Sequence, residues 1–315
     1  VFMLLKNLIN HLTRPTATSA VVPVIPGIKV GGFQIPLITG WIALFIVILV
    51  HEFSHGVVSR AHNLPVKSSG IFFLGPLMGA FVEPEEKKLK KASDTTQYSV
   101  YAAGPWSNIL LAGVCLLLLT YIFVPGIGAM ENEVGVELVG VTEGYPAIDA
   151  GLQSGMVVTA VNNESLTNYE QFREKLSMMR PNDSISVTAN GTVFTFLTVA
   201  NPSDPEKGYL GVMAASKPMV ELKSDAWYFN LLHAVVGWFA SLFAITGLLS
   251  FGIGLANLLP LGPVDGGRML QVTLQKIKGK EKGDMIWRKI SVLTLLLLAI
   301  NLFWPLFKWI GGLFV

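Results

Sequence analysis

Apolar runs alternate with short polar connections along most of the 315-residue chain. Four runs, at residues 38–60, 106–124, 231–255 and 290–310, can each carry a helix across a hydrocarbon core of about 30 Å, which takes roughly 20 residues. A fifth, VFMLLKNLIN at 1–10, is too short to span and no small-residue cleavage site clearly follows it, so it is not read as a signal peptide. It reads as an interfacial helix or, since the chain opens on Val, as the remnant of an upstream span. From 134 to 212 the period changes: VELVGV, MVVTAV, SISVTA and TVFTFLTV are short alternating strands broken by Gly, Asn and Pro, with one amphipathic helix near 168–179. That is the grammar of a small α+β domain. A further apolar stretch, SSGIFFLGPLMGAFVEP at 68–84, is too short for two crossings and is broken at Gly75-Pro76 and Gly79. It predicts a re-entrant β-hairpin; a GxxxG helix-packing reading is opposed by Pro76.

The expected fold is a multi-pass α-helical membrane protein of about four transmembrane helices plus a re-entrant β-hairpin, with an inserted α+β domain. The expected divisions are an N-terminal segment at 1–37, interfacial or external, a first membrane part at 38–124, the insert at 130–215 and a second membrane part at 228–315.

Composition agrees: 51% of residues are apolar and 14% charged, and the mean hydropathy is +0.54. A net charge of +2, with no basic stripe interleaved with aromatics, sets nucleic acid aside. The single cysteine, Cys115, reads as a small buried hydrophobe. Charge also orients the chain. The two connections between spans one and two and between spans three and four hold 13 basic against 7 acidic residues, whereas 125–227 holds 6 basic against 13 acidic. The positive-inside rule places the basic connections in the cytoplasm and the insert, with the PTATSAVVPVIPG segment, outside. EPEEKKLKKA and QKIKGKEKGD read as interfacial helices on anionic headgroups, His62 and His233 as interfacial polar residues, and Trp287, Trp304 and Trp309 as interface anchors.

Candidate chemistry sits in two of the spans. VILVHEFSHGVV at 47–58 puts two histidines and a glutamate inside an apolar helix, where ionisable groups are costly and are rarely kept without a functional partner. His51 and His55 are one turn apart on one face and can reach one metal ion, with Glu52 about 100° round beside them. Such a site needs a third ligand and an open position for water. GIGLANLLPLGPVDGGRML at 252–270 supplies a candidate in Asp265, after prolines that no regular helix would tolerate. Spans one and three both run inward, so the two motifs reach similar depth, although a plain helix stop at the membrane surface would also account for NLLPLGPVDGG.

HEFSH together with NLLPLGPVDGG resembles the site-2 protease family of intramembrane zinc metalloproteases. YAAGPWSNILLAG at 101–113 looks like that family's AGP..N helix entry, and VTEGYPAIDAGLQSGMVVTAVNNESL resembles the PDZ domains of its branch with an external PDZ insert, departing from the pattern at Met156 and at Asn162-Asn163. The resemblance covers about residues 40–289. It implies one Zn2+ per chain held by His51, His55 and Asp265, with Glu52 as general base and then proton donor, and Asn257 bonding the substrate backbone. The hairpin, with Gly75 and Gly79, would pair with a locally unwound transmembrane substrate. It further implies a multi-pass protein of the cell membrane with its site in the cytoplasmic half, a PDZ-like domain outside with a possible peptide ligand, and a part in regulated intramembrane proteolysis. A catalytically silent adaptor using the PDZ-like domain, which would be expected to have lost one of the four site residues, and a metal-ion transporter, which would spread polar residues over several spans, stand as the alternatives.

Overall fold

The computed structural model describes residues 2–13, 25–30, 33–74 and 77–311. Gly75 and most of PTATSAVVPVIPG lie outside the described residues. The chain divides into two compact units, one of Val1–Val124 with Gly237–Val315 and one of Pro125–Val236.

The chain opens with α1 (Phe2–Thr13), then β1 (Lys29–Val30) and β2 (Phe33–Gln34), paired antiparallel. α2 (Leu37–Ala61) is apolar on all sides, as suits a helix surrounded by lipid or protein. It stops in a Schellman arrangement: Asn63 takes the left-handed conformation at φ 57°, Leu64 N–H donates to Ser59 O (2.9 Å) and Asn63 N–H to Arg60 O (3.0 Å). β3 (Val66–Leu74) and β4 (Leu77–Pro84) form the expected antiparallel hairpin, with Phe72 opposite Gly79. β4 lies against α2, where a Cβ at Gly56 would stand 3.0 Å from Val82 Cγ1.

The helix expected over EPEEKKLKKA shrinks to the single turn α3 (Glu86–Leu89), because Glu83 and Pro84 belong to β4. α4 (Asp94–Leu118) starts well before the apolar run it carries, since Ser93 caps it by accepting from Thr96 N–H (3.2 Å). A π-helical stretch, Leu119–Phe123, and α5 (Val124–Met130) follow.

In the second unit come β5 (Glu131–Val141), α6 (Pro146–Asp149), β6 (Val157–Val161), β7 (Glu164–Ser165), α7 (Tyr169–Ser177), β8 (Ser184–Ala189), β9 (Thr192–Leu197), β10 (Val199–Asn201), β11 (Asp204–Tyr209) and β12 (Val212–Leu222). An antiparallel sheet in the order β12-β5-β6-β8-β9, with β7 on β6, turns Val136, Leu138, Val158, Val161, Ile185 and Val187 into one core with Phe172 of α7. The PDZ-like segment VTEGYPAIDAGLQSGMVVTAVNNESL runs from the end of β5 through α6 into β6. Asn168 caps α7 by accepting from Gln171 N–H (3.1 Å). First and last strands are partners, with Glu131 opposite Leu222 and Val141 opposite Val212. Lys223 N–H then donates to Met130 O (3.0 Å).

α8 (Trp227–Asn257) follows, then α9 (Asp265–Lys278) and α10 (Lys280–Gly311), separated by Gly279 at φ 78°. QKIKGKEKGD is therefore split between two helices. His233, read as an interfacial polar residue, pairs with Glu131 (2.7 Å) within the second unit.

Among the described residues, four helical stretches, Leu37–Ala61, Asp94–Met130, Trp227–Asn257 and Lys280–Trp304, are long and apolar enough to cross a bilayer. In the first unit, Ala43 and Val47 of α2 pack with Leu242, Ile245 and Leu249 of α8. Cys115 is buried, and a Cβ at Gly247 would lie 3.0 Å from its own Cβ. α1 is fastened to α10 by Asn301, which accepts from Asn7 Nδ2 (2.8 Å) and donates to Leu4 O (3.2 Å).

Candidate metal centre

His51 and His55 project from the second half of α2, His51 about 15 Å of helix before Ala61. Asp265 comes from the first turn of α9, where the unpaired N–H groups of a helix start favour a carboxylate. Reaching that position demands close backbone contact. Pro260 and Pro263 break the chain after α8, and a Cβ on Gly266 would lie 2.4 Å from the Leu258 carbonyl carbon, one on Gly267 only 1.9 Å from Leu261 O. Trp287 of α10 fixes the same turn by donating its Nε1–H to Gly267 O (2.8 Å).

The three side chains converge. His51 Nε2 and His55 Nε2 are 3.2 Å apart, and Asp265 Oδ2 stands 3.2 Å from the first and 3.4 Å from the second. A tetrahedral zinc centre with bonds of about 2.0–2.1 Å spaces its donors about 3.3–3.4 Å apart, so two imidazoles and a carboxylate in this triangle fit such an ion. The space beside them is kept clear by Gly104 of α4, where a Cβ would lie 2.5 Å from His51 Cε1 and from His55 Nε2.

α4 also supplies anchors. His55 Nδ1–H donates to Val100 O (2.7 Å), next to the Tyr101 carbonyl whose helical donor is removed by Pro105. Asn108, fully buried, brings its amide to 3.1 Å from His51 Nδ1. Glu52 lies on the cavity side of α2, with the β4 amide Val82 N–H 3.4 Å from its Oε2.

The cavity over this triangle measures about 300 Å³ and is lined by His51, Glu52, His55, Asp265, Asn257, Val82, Pro263 and Arg268, with Tyr101 and Glu86. Arg268, one turn after Asp265, is the one lysine or arginine among those lining residues. Glu86 is held below the usual carboxylate range by its hydrogen bond and charge pairing with Lys90 (2.7 Å).

The structure thus gathers His51, Glu52, His55, Asp265 and Asn257 around one cavity. Gly79 is not among its lining residues; it faces the ring of Phe72 across the hairpin, where a Cβ would come within 2.2 Å of that ring. Gly75 lies outside the described residues. Sequence reasoning assigned no role to Gly104, Asn108, Val82 or Arg268. The signal for the first two was present in AGP..N, where a glycine precedes an in-helix proline.

The family model for peptidase family M50 matches residues 39–298. An uncharacterized protein of Methanocaldococcus jannaschii is 29% identical over 244 residues, covering 76% of this chain and 58% of that protein. Regulator of sigma-W protease RasP of Bacillus subtilis is 24% identical over 244 residues, covering 64% and 56%, and zinc metalloprotease RasP of Oceanobacillus iheyensis is 23% identical over 269 residues, covering 71% and 62%. The chain therefore spans a little over half the length of these curated relatives.

Proposed function

Since the chain belongs to peptidase family M50, we propose that it is an intramembrane zinc metalloprotease that hydrolyses a peptide bond in or near a transmembrane segment of another membrane protein. The observation that carries the reading is the triangle of His51, His55 and Asp265 donor atoms, 3.2–3.4 Å on a side, facing a cavity that Glu52 also lines. Zinc, when bound, supplies a Lewis acid for the scissile carbonyl and lowers the pKa of water toward neutrality. The chain's own groups do the rest.

His51, His55 and Asp265 would hold the ion beside the cavity that Glu52 lines. Glu52 takes the proton from the attacking water and returns it to the leaving amine nitrogen. The edge of β4 that pairs with no strand among the described residues, and whose Val82 N–H points toward Glu52, receives the substrate as an added strand, meeting backbone groups that lipid cannot serve. Asn257 bonds the substrate backbone, and Arg268 offers positive charge to the carboxylate that forms. With the basic connections in the cytoplasm by the positive-inside rule, the site lies in the cytoplasmic half of the membrane and the α+β insert outside. There the insert acts as a PDZ-like domain that screens or binds the substrate's extracytoplasmic part. The biological setting we assign is regulated intramembrane proteolysis.

The test is cleavage of a model transmembrane peptide by wild type and Glu52→Gln in detergent or bilayers, with zinc content measured in both. The variant is expected to keep one zinc per chain and to cut at least about 100-fold more slowly, the lower range for loss of a general base. Equal cleavage with zinc retained would overturn the assignment.

A further inference from the structure

Both metal-directed imidazoles use their second nitrogen on α4. His55 Nδ1 reaches the Val100 carbonyl and His51 Nδ1 reaches the Asn108 amide, with Gly104 midway between. Val100, Gly104 and Asn108 are spaced four residues apart, so one stripe of a helix that supplies no ligand supports both histidines.

Asn108 is held firmly. Its side chain is fully buried, its backbone carbonyl accepts from Ser250 Oγ (2.8 Å), and Gly254 of α8 lets the helices close until a Cβ there would stand 3.3 Å from Asn108 Cβ. Its amide raises a chemical question. An imidazole that ligates through Nε2 carries its hydrogen on Nδ1 and is a donor there. The Asn108 group nearest that nitrogen is Nδ2, also a donor, while Oδ1 is buried with no hydrogen-bond partner. Turning the amide by 180° exchanges two groups of nearly equal shape, gives the orphaned oxygen a donor and replaces a donor–donor contact by a hydrogen bond.

We propose that Asn108 is a positioning residue of the metal centre: its amide oxygen accepts from His51 Nδ1–H, which fixes Nε2 as the ligating nitrogen and sets the ring's orientation. The proposal rests on the zinc reading above and adds to it the residue that prepares His51. Outer partners of this kind sustain metal affinity by about 10–100-fold.

The experiment measures zinc affinity of the full chain in detergent, by competition with a chromophoric chelator, for wild type, Asn108→Ala and Asn108→Asp. Asp has the same shape but only acceptor atoms, so it separates acceptance from mere packing. Asn108→Ala is expected to bind zinc about 10–100-fold more weakly and Asn108→Asp within about threefold of wild type or tighter. Cobalt in place of zinc should give a wild-type visible spectrum in Asn108→Asp and an altered one in Asn108→Ala. Unchanged affinity in Asn108→Ala, or an equal loss in both variants, overturns the proposal while a zinc-binding wild type leaves the protease reading standing. If Asn108→Ala does not yield folded protein, Asn108→Asp decides alone, a tenfold loss counting against. A wild type that binds no zinc removes both readings.

Discussion

At the scale of single residues, the centre depends on what is absent as much as on what is present. A methyl group at Gly104 would lie 2.5–2.6 Å from atoms of both imidazoles. Gly104→Ala should therefore lose most bound zinc and cleavage together, whereas Gly113→Ala on the same helix, which meets nothing within 4 Å, should keep both. Metal analysis of the two purified variants checks this. His51, Glu52 and His55 were legible in the sequence because their geometry is local, set by one helical turn. Asp265 was legible only as a candidate, because the distance that brings it to the two histidines is created by folding. Gly104 and Asn108 were visible only as members of the AGP..N motif; what they do there appears once α4 lies against α2.

At the scale of elements, the turn between α8 and α9 has the tightest tolerance. With Leu261 O only 1.9 Å from where a Gly267 methyl would be, Gly267→Ala must push α9 and Asp265 away from the histidines. Overpacking of this kind costs about 1–3 kcal/mol or more. The variant should show a lowered thermal midpoint and weakened zinc binding, and a variant equal to wild type in both would mean that the turn adapts freely. Apolar length read the four spans well, since hydrophobicity is a property of composition. It read their ends less well, because ends are set by caps: Ser93 starts α4 early, Asn63 stops α2, and Gly279 divides α9 from α10. The run Asp265-Gly266-Gly267, which resembles a helix stop, opens a helix because its glycines admit the neighbouring backbone. The hairpin was readable from Pro76 and its length, but the packing of β4 along α2 was not.

At the scale of the whole molecule, the insert begins and ends on hydrogen-bonded neighbours, Glu131 and Leu222. Replacing 131–222 by a short turn should leave the membrane-spanning unit able to bind zinc, because Met130 and Lys223 are already in contact. Zinc content and thermal stability of the excised chain test this, and a chain that no longer binds zinc would show that the insert supports the site. Zinc itself should stabilise the intact protein by an amount that grows with free metal, about 2.7 kcal/mol at 100 times its dissociation constant, and chelation should remove that increment from the melting curve. The alternation of strands revealed the insert's class, while its sheet order, with the last strand beside the first, is a long-range pairing that no local pattern encodes. That pairing has a consequence for synthesis. β5 emerges from the ribosome some eighty residues before β12, and long-range pairings of this kind close slowly. The sheet stays open at that edge until Leu222 has been made, immediately ahead of α8 at Trp227. The third span is thus translated just as the insert becomes able to close, which links completion of the insert's fold in time to the delivery of Asn257 and Asp265, and so to the moment when the candidate metal centre can first be complete in the nascent chain.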